Sequence, residues 1–195
     1  ERVFVPAKDG ELIPVSIVYH KKTKRDGTAP LLLYGYGSYG VSIPASFSVG
    51  RLSLMDRGFI YAITHVRGGS EKGYYWYKKG RRQFKKNSFN DYIESASFLI
   101  KEKYTAKGQI ICHGGSAGGM LVATCLNMRP NIFGAAITEV PFVDVLNTMS
   151  DADLPLTPPE WPEWGNPISN KRTYNYIFSY SPYDQVSKQH YPAIY

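Results

Sequence analysis

Ser116 stands in the run Gly114-Gly115-Ser116-Ala117-Gly118-Gly119, between an apolar stretch ending at His113 and a helix-forming stretch that opens at Ala117. A serine hydroxyl is a weak nucleophile until a base takes its proton and the backbone aims it at a carbonyl. The G-x-S-x-G spacing serves the second need. Small residues at 114, 115, 117 and 118 let a strand turn sharply into a helix and hold the hydroxyl clear of the sheet. The helix start beyond it offers unpaired N–H groups and a positive dipole end to a developing oxyanion. The chemistry implied is acyl transfer through an ester on Ser116. An ordinary glycine-rich turn shares the bare pattern; its placement between strand and helix favours the nucleophile.

The base is harder to find. In α/β-hydrolases the chain order is Ser, then Asp or Glu, then His. His190 is the only histidine after Ser116, and Asp144 follows the strand after the elbow, so Asp144 and His190 form one conceivable triad. However, His190 precedes its expected strand, whereas catalytic groups gather at the carboxyl ends of strands. His65 is on the correct side but upstream of Ser116. His113 reads as a near-core residue and His20 as a surface one.

These residues need a sheet to position them. Arg2 to Pro6 and Leu12 to His20 read as two antiparallel strands around the turn Asp9-Gly10. Then come short continuous apolar runs of the kind buried in parallel sheets: Pro30 to Tyr34, Phe59 to Thr64, Gln109 to His113 and Gly134 to Thr138. A short helix fits Ser53 to Arg57. Between Ser88 and Tyr104, Phe89, Tyr92, Ile93, Ala96, Leu99 and Ile100 recur at helical spacing, with Asn87 or Ser88 as the expected cap. Ala117 to Met128 is helical up to Arg129-Pro130. Asp151 to Pro167, with five prolines, reads as a shaped loop or several short turns, and Tyr191 to Tyr195 as the entry to another strand. The alternation implies an α/β domain with a mainly parallel, doubly wound sheet and an N-terminal antiparallel hairpin; with the serine elbow, the expected architecture is an α/β-hydrolase fold, incomplete at the C-terminus.

Length and composition bound the rest. A chain of 195 residues supports one domain with a sizeable core, and 43% apolar residues place it among globular proteins. No apolar run approaches the ~20 residues of a membrane span, and the N-terminus carries no signal-peptide pattern. The net charge of +7 is concentrated at Lys21, Lys22, Lys24 and Arg25, and at Lys78, Lys79, Arg81, Arg82, Lys85 and Lys86. Aromatic residues interleave with the second group, but no nucleic-acid module accompanies it. A solvated face or a surface meeting an acidic partner domain is the better reading. Cys112 and Cys125 match no disulfide framework or zinc pattern and read as buried reduced thiols, which makes the cytoplasm the default compartment.

Several blocks together resemble the prolyl oligopeptidase family, in its oligopeptidase B (protease II) branch. Leu33-Tyr34-Gly35-Tyr36-Gly37-Ser38-Tyr39-Gly40 is similar to that family's oxyanion loop, and His65-Val66-Arg67-Gly68-Gly69-Ser70-Glu71-Lys72-Gly73 to the loop after its next strand. Gly114 to Gly119 matches the serine elbow, and Glu139 to Asp144, Glu160 to Pro167 and Tyr180 to Asp184 follow in the family's order. The resemblance implies a serine endopeptidase of short peptides, needing no cofactor or metal. Ser116 would attack the scissile carbonyl, and the Tyr36 hydroxyl and the Ala117 N–H would hold the oxyanion. Glu160 would bind the arginine or lysine after which the peptide is cut. Pro162 stands where the family often carries a second glutamate, so Glu163 and Glu139 are the further candidate substrate-binding carboxylates.

The resemblance also sets the expected extent. Residues 1–195 would be a partial catalytic domain, with the family's β-propeller before Glu1 and its triad aspartate and histidine beyond Tyr195. Propeller and remaining catalytic segment are then the partners of this piece, with short basic peptides as substrates and neither nucleic acid nor membrane involved. On that reading the isolated chain is inactive and poorly soluble. The alternatives are a non-catalytic remnant that binds peptides or assembles with a separate remainder, and a small esterase with an improvised base.

Overall fold

A computed structural model describes all of residues 1–195. Strands β1 (Arg2–Pro6) and β2 (Leu12–Val18) form the antiparallel pair, and Gly10 turns the chain between them at φ 85°. Strand β2 then pairs antiparallel with β4 (Ile60–Thr64). From there the sheet is parallel: β3 (Leu31–Tyr34) lies between β4 and β5 (Ile110–Gly115), followed by β6 (Phe133–Glu139) and β7 (Ala193–Ile194). The resulting order is β1-β2-β4-β3-β5-β6-β7. This is the mainly parallel α/β sheet with an antiparallel N-terminal pair that the sequence implies.

The two faces of the sheet are unequal. Leu31, Leu33, Ala62, Ile110, Cys112 and Ala136 point to one side, into a cluster of 34 buried residues. There they meet Phe89, Tyr92, Ala96 and Leu99 of α3 (Lys86–Lys101) and Met120, Leu121 and Cys125 of α4 (Ala117–Met128). Leu32, Tyr61 and Ile63 point to the other side, where Ile43 and Leu54 of α1 (Val49–Asp56) supply a thinner cover. The strict alternation of Leu31, Leu32 and Leu33 between faces is the two-residue period of a strand buried on both sides.

Helix boundaries depart from the sequence reading where side chains have other work. α3 begins at Lys86, with Lys85 at its cap position and no side-chain cap. Asn87 instead donates to the Lys79 carbonyl at 3.0 Å, and Ser88 to the Arg67 carbonyl at 2.6 Å, tying the helix to the preceding loops. The proline-rich segment holds a helix, α6 (Thr157–Trp164), rather than turns alone. Pro158 and Pro159 fall in its first turn, where an N–H has no intrahelical acceptor to lose. Three further short helices, α2 (Tyr74–Lys78), α5 (Val145–Met149) and α7 (Lys171–Phe178), lie outside the segments read as helical. The last has a legible start: Asn170 accepts from the N–H groups of Arg172 and Thr173.

The aromatic residues among the basic ones are already occupied. Lys78 lies over Tyr74, Lys79 over Tyr75 and Phe84, and Arg81 over Tyr77, so these rings stack on the chain's own cations. Cys112 and Cys125 are free and buried, and burial pushes the Cys112 thiol up to about 12. No helix is long and apolar enough to cross a membrane.

Candidate active site

Ser116 sits between β5 and α4 with φ 54° and ψ −117°, a left-handed conformation that a non-glycine residue adopts only under constraint. The constraint is visible in the backbone. The Ser116 N–H donates to the Glu139 carbonyl at 2.8 Å, and its own carbonyl accepts from Phe142 at 3.0 Å and Met120 at 3.2 Å. Close approach explains the glycines: a Cβ on Gly114 would lie 2.2 Å from the Gly118 oxygen, and one on Gly118 would lie 2.7 Å from the Gly35 oxygen. The serine is left exposed at the carboxyl ends of the parallel strands. Ala117 is the first residue of α4, where helix geometry leaves the N–H without an acceptor.

Facing this elbow is the loop that leaves β3. The half-buried Tyr36 phenol has its pKa raised by burial, then by the charges of Tyr34, Glu160 and Glu163, while the Ser116 hydroxyl, close enough to interact with it, opposes the rise. Tyr36 is therefore a protonated donor beside Ser116. The Tyr92 hydroxyl anchors the root of the loop by donating to the Leu33 carbonyl at 2.7 Å. Gly37, Tyr39 and Gly40 all have positive φ, at 73°, 59° and 67°. The loop after β4 presses against it, and a Cβ on Gly68 (φ 99°) would lie 1.9 Å from the Gly37 oxygen. That second loop is itself fixed by the buried ion pair of Arg67 with Asp91 of α3, at 2.6 Å, and by Asp9 in the hairpin turn.

The three carboxylates expected to meet substrate occupy different environments. Glu160 is half-buried: one oxygen, Oε2, accepts from the Tyr39 hydroxyl at 2.7 Å and Trp164 Nε1 at 2.6 Å, which leaves Oε1 without a protein partner. Glu139 is exposed, next to the serine through its main chain and 3.2 Å from His113 Nε2 through its side chain. Glu163 departs from the expectation. It is buried, with one oxygen accepting from the Tyr39 N–H at 2.9 Å and the other from the Tyr77 hydroxyl at 2.6 Å, so it braces the loop instead of facing solvent. The largest cavity, about 1170 Å³ between α6, α7 and the turn at Arg82–Phe84, includes neither Ser116 nor Tyr36.

None of the four histidines hydrogen-bonds to Ser116. His65 is buried between Ser16 Oγ at 2.9 Å and Glu71 at 3.3 Å, with β3 between it and β5. His113 is held by Glu139 and edge-on by Tyr34, and His20 accepts from the Lys22 N–H in an exposed turn. His190 lies between Gln189 and Tyr191, both bonded to Asn127 in the last turn of α4. Asn127 is roughly 16 Å along the helix from Ser116 at 1.5 Å per residue. Asp144, the possible acid, accepts from Asn147 at 3.2 Å while its other oxygen is buried without a partner. Sequence reasoning missed Lys85, grouped with the basic surface but fully buried beneath the Tyr36 loop. The signal was available: Lys85, Phe89, Tyr92 and Ala96 share the spacing of the buried face of α3.

Known proteins share this sequence and this fold. The Prolyl oligopeptidase family profile matches residues 45–194. A dipeptidyl aminopeptidase BI of Pseudoxanthomonas mexicana is 49% identical across the whole chain, and a protease 2 of Moraxella lacunata 43%; the chain spans 27% and 28% of their respective lengths. The oligopeptidase B of Leishmania major superposes over all of this chain and 27% of its own, with a TM-score of 0.96 and 50% identity. With the profile covering most of the chain, and an elbow and facing loop built as described, the protein belongs to the prolyl oligopeptidase family.

Proposed function

We propose that Ser116 is the nucleophile of a serine oligopeptidase that cleaves short peptides after arginine or lysine. The single observation that carries this reading is Ser116 itself, exposed and held at positive φ on the elbow, opposite a protonated Tyr36. Ser116 Oγ attacks the scissile carbonyl while its proton passes to a histidine base. The resulting oxyanion accepts hydrogen bonds from the Tyr36 O–H and the Ala117 N–H. Collapse expels the amine, which takes the proton from the histidine, and water then hydrolyses the acyl-enzyme by the same route. Glu160 Oε1, free of protein partners, receives the substrate guanidinium or ammonium, with exposed Glu139, next to Ser116 through its main chain, as a second anion.

Because no histidine here reaches Ser116, the base and its orienting acid are assigned to chain beyond residues 1–195, as the greater length of the relatives allows. The test is fluorophosphonate labelling of the longer protein and of residues 1–195 alone, each beside Ser116→Ala. Labelling of the longer protein only, lost in the variant, is the expected result. Labelling of the short chain would mean that an internal base is assembled, and no labelling of either would leave a non-catalytic, peptide-binding piece. Cleavage of N-terminally blocked Arg and Lys peptides, with Ala peptides as control, tests the substrate class. Turnover confined to free N-termini would instead point to dipeptide release, with Glu160 binding an α-ammonium.

A further inference from the structure

Lys85 has no exposed surface, an unusual state for a lysine. Its Nζ donates to the Gly37 carbonyl at 2.5 Å and to Ser38 Oγ at 2.9 Å, and lies 5.3 Å from the Trp164 ring centre and 5.9 Å from that of Phe89. Burial draws its pKa down to about 8, and the charge of Glu163 is the only one set against that fall. Glu163 in turn holds the Tyr39 N–H and the Tyr77 hydroxyl. A cation thus takes the carbonyl at 37 and an anion takes the amide at 39, in a loop whose left-handed residues form no strand ladder of their own. Charge-assisted bonds of this kind are about twice as strong as neutral ones, and they fix direction as well as distance.

We propose that Lys85 and Glu163 are positioning residues for catalysis, a two-sided clamp on Gly37 to Tyr39 that presents the Tyr36 hydroxyl to the oxyanion formed at Ser116. The inference rests on the peptidase reading above. Neither residue touches substrate, and both act through Tyr36. An aligned donor matters because an oxyanion hole works only when its donors already stand where the charge will develop.

The experiment is a double-mutant cycle in the whole protein, using Lys85→Met and Tyr36→Phe, with kcat and KM measured separately on a basic peptide. Lys85→Met is expected to lower kcat about 10- to 100-fold with KM within about twofold, and to cost less than about threefold more once Tyr36→Phe is present. Equal losses in both backgrounds, or an unchanged kcat, would overturn the clamp. If Lys85→Met does not fold, Ser38→Ala removes one of the lysine's two acceptors and carries the same cycle with a smaller expected loss. A second readout does not depend on turnover: the 19F resonance of fluorotyrosine at position 36, assigned with Tyr36→Phe. It should shift or broaden in the clamp variants while Tyr19 and Tyr104, far from the loop, hold still. A wild type that neither labels nor cleaves would sink the peptidase reading, and this resonance then decides the clamp by itself.

Discussion

At the scale of single residues, the site consists of side chains whose neighbours set their protonation. Tyr36 is kept as a donor by burial and nearby carboxylates, and burial draws the Lys85 pKa down to about 8, which leaves it a cation at neutral pH. The lysine therefore leaves a signature in stability. It titrates near 8 when folded and near 10.4 when unfolded, so across that window the unfolded chain binds more protons and the unfolding free energy rises with pH. Below the window the charged lysine exerts its full cost. The stability of wild type relative to Lys85→Met should climb between pH 7.5 and 9.5, measured by urea unfolding at fixed ionic strength. A flat difference would mean that Lys85 titrates like a solvated lysine. That Ser116 sits on a strand-to-helix elbow and Tyr36 in the loop after β3 was legible because each is set among glycines. Glu163 was not, because a carboxylate that binds substrate and one that binds a backbone amide look alike in a sequence.

Elements are where the Tyr36 loop becomes a three-body object. It leaves β3, rests on the loop after β4, and is roofed by α6, whose Glu160 and Glu163 reach Tyr39 from above. The tightest contact is Gly68 against the Gly37 oxygen. Gly68→Ala meets both a positive φ and a backbone atom that side-chain rotation cannot relieve, so we expect a loss of roughly 2–4 kcal/mol, read by denaturant unfolding. Gly58→Ala, whose Cβ would meet nothing within 4 Å, shares the positive φ and separates the two effects. Equal losses at 58 and 68 would show that the close approach contributes nothing. Strands and the α4 helix were readable from apolar runs and from the elbow. α6 was obscured because prolines signal a loop in a one-dimensional reading, although in a helix's first turn they do no harm.

Across the whole molecule, the dominant feature is a sheet with one thick face and one thin one. Phe47, Val49 and Leu52 remain exposed on the thin side, and β7 closes the sheet as a two-residue strand with Ala193 and Ile194 exposed. Apolar surface beside a strand edge promotes association. Residues 1–195 produced alone are expected to elute above their 21.9 kDa mass on size exclusion, increasingly so with concentration. A sharp monomeric peak would show that the thin face is self-sufficient. The antiparallel start and the parallel remainder were legible from the change in strand pattern at Pro30. The inequality of the faces was not, because a strand such as Leu31–Tyr34 is apolar on both sides whichever side is better covered.

The two sequestered cysteines have a practical corollary. With Cys112 and Cys125 buried and their thiols pushed far from ionisation, neither presents a thiolate to a solution reagent at neutral pH. Because backbone bonds to Glu139, Phe142 and Met120 orient residue 116, a cysteine exchanged for the serine would inherit its exposed, outward position. Ser116→Cys would then be the chain's single addressable thiol. A spin label or fluorophore could be mounted at the proposed nucleophile's own position, making the elbow a reporter of whatever docks above it.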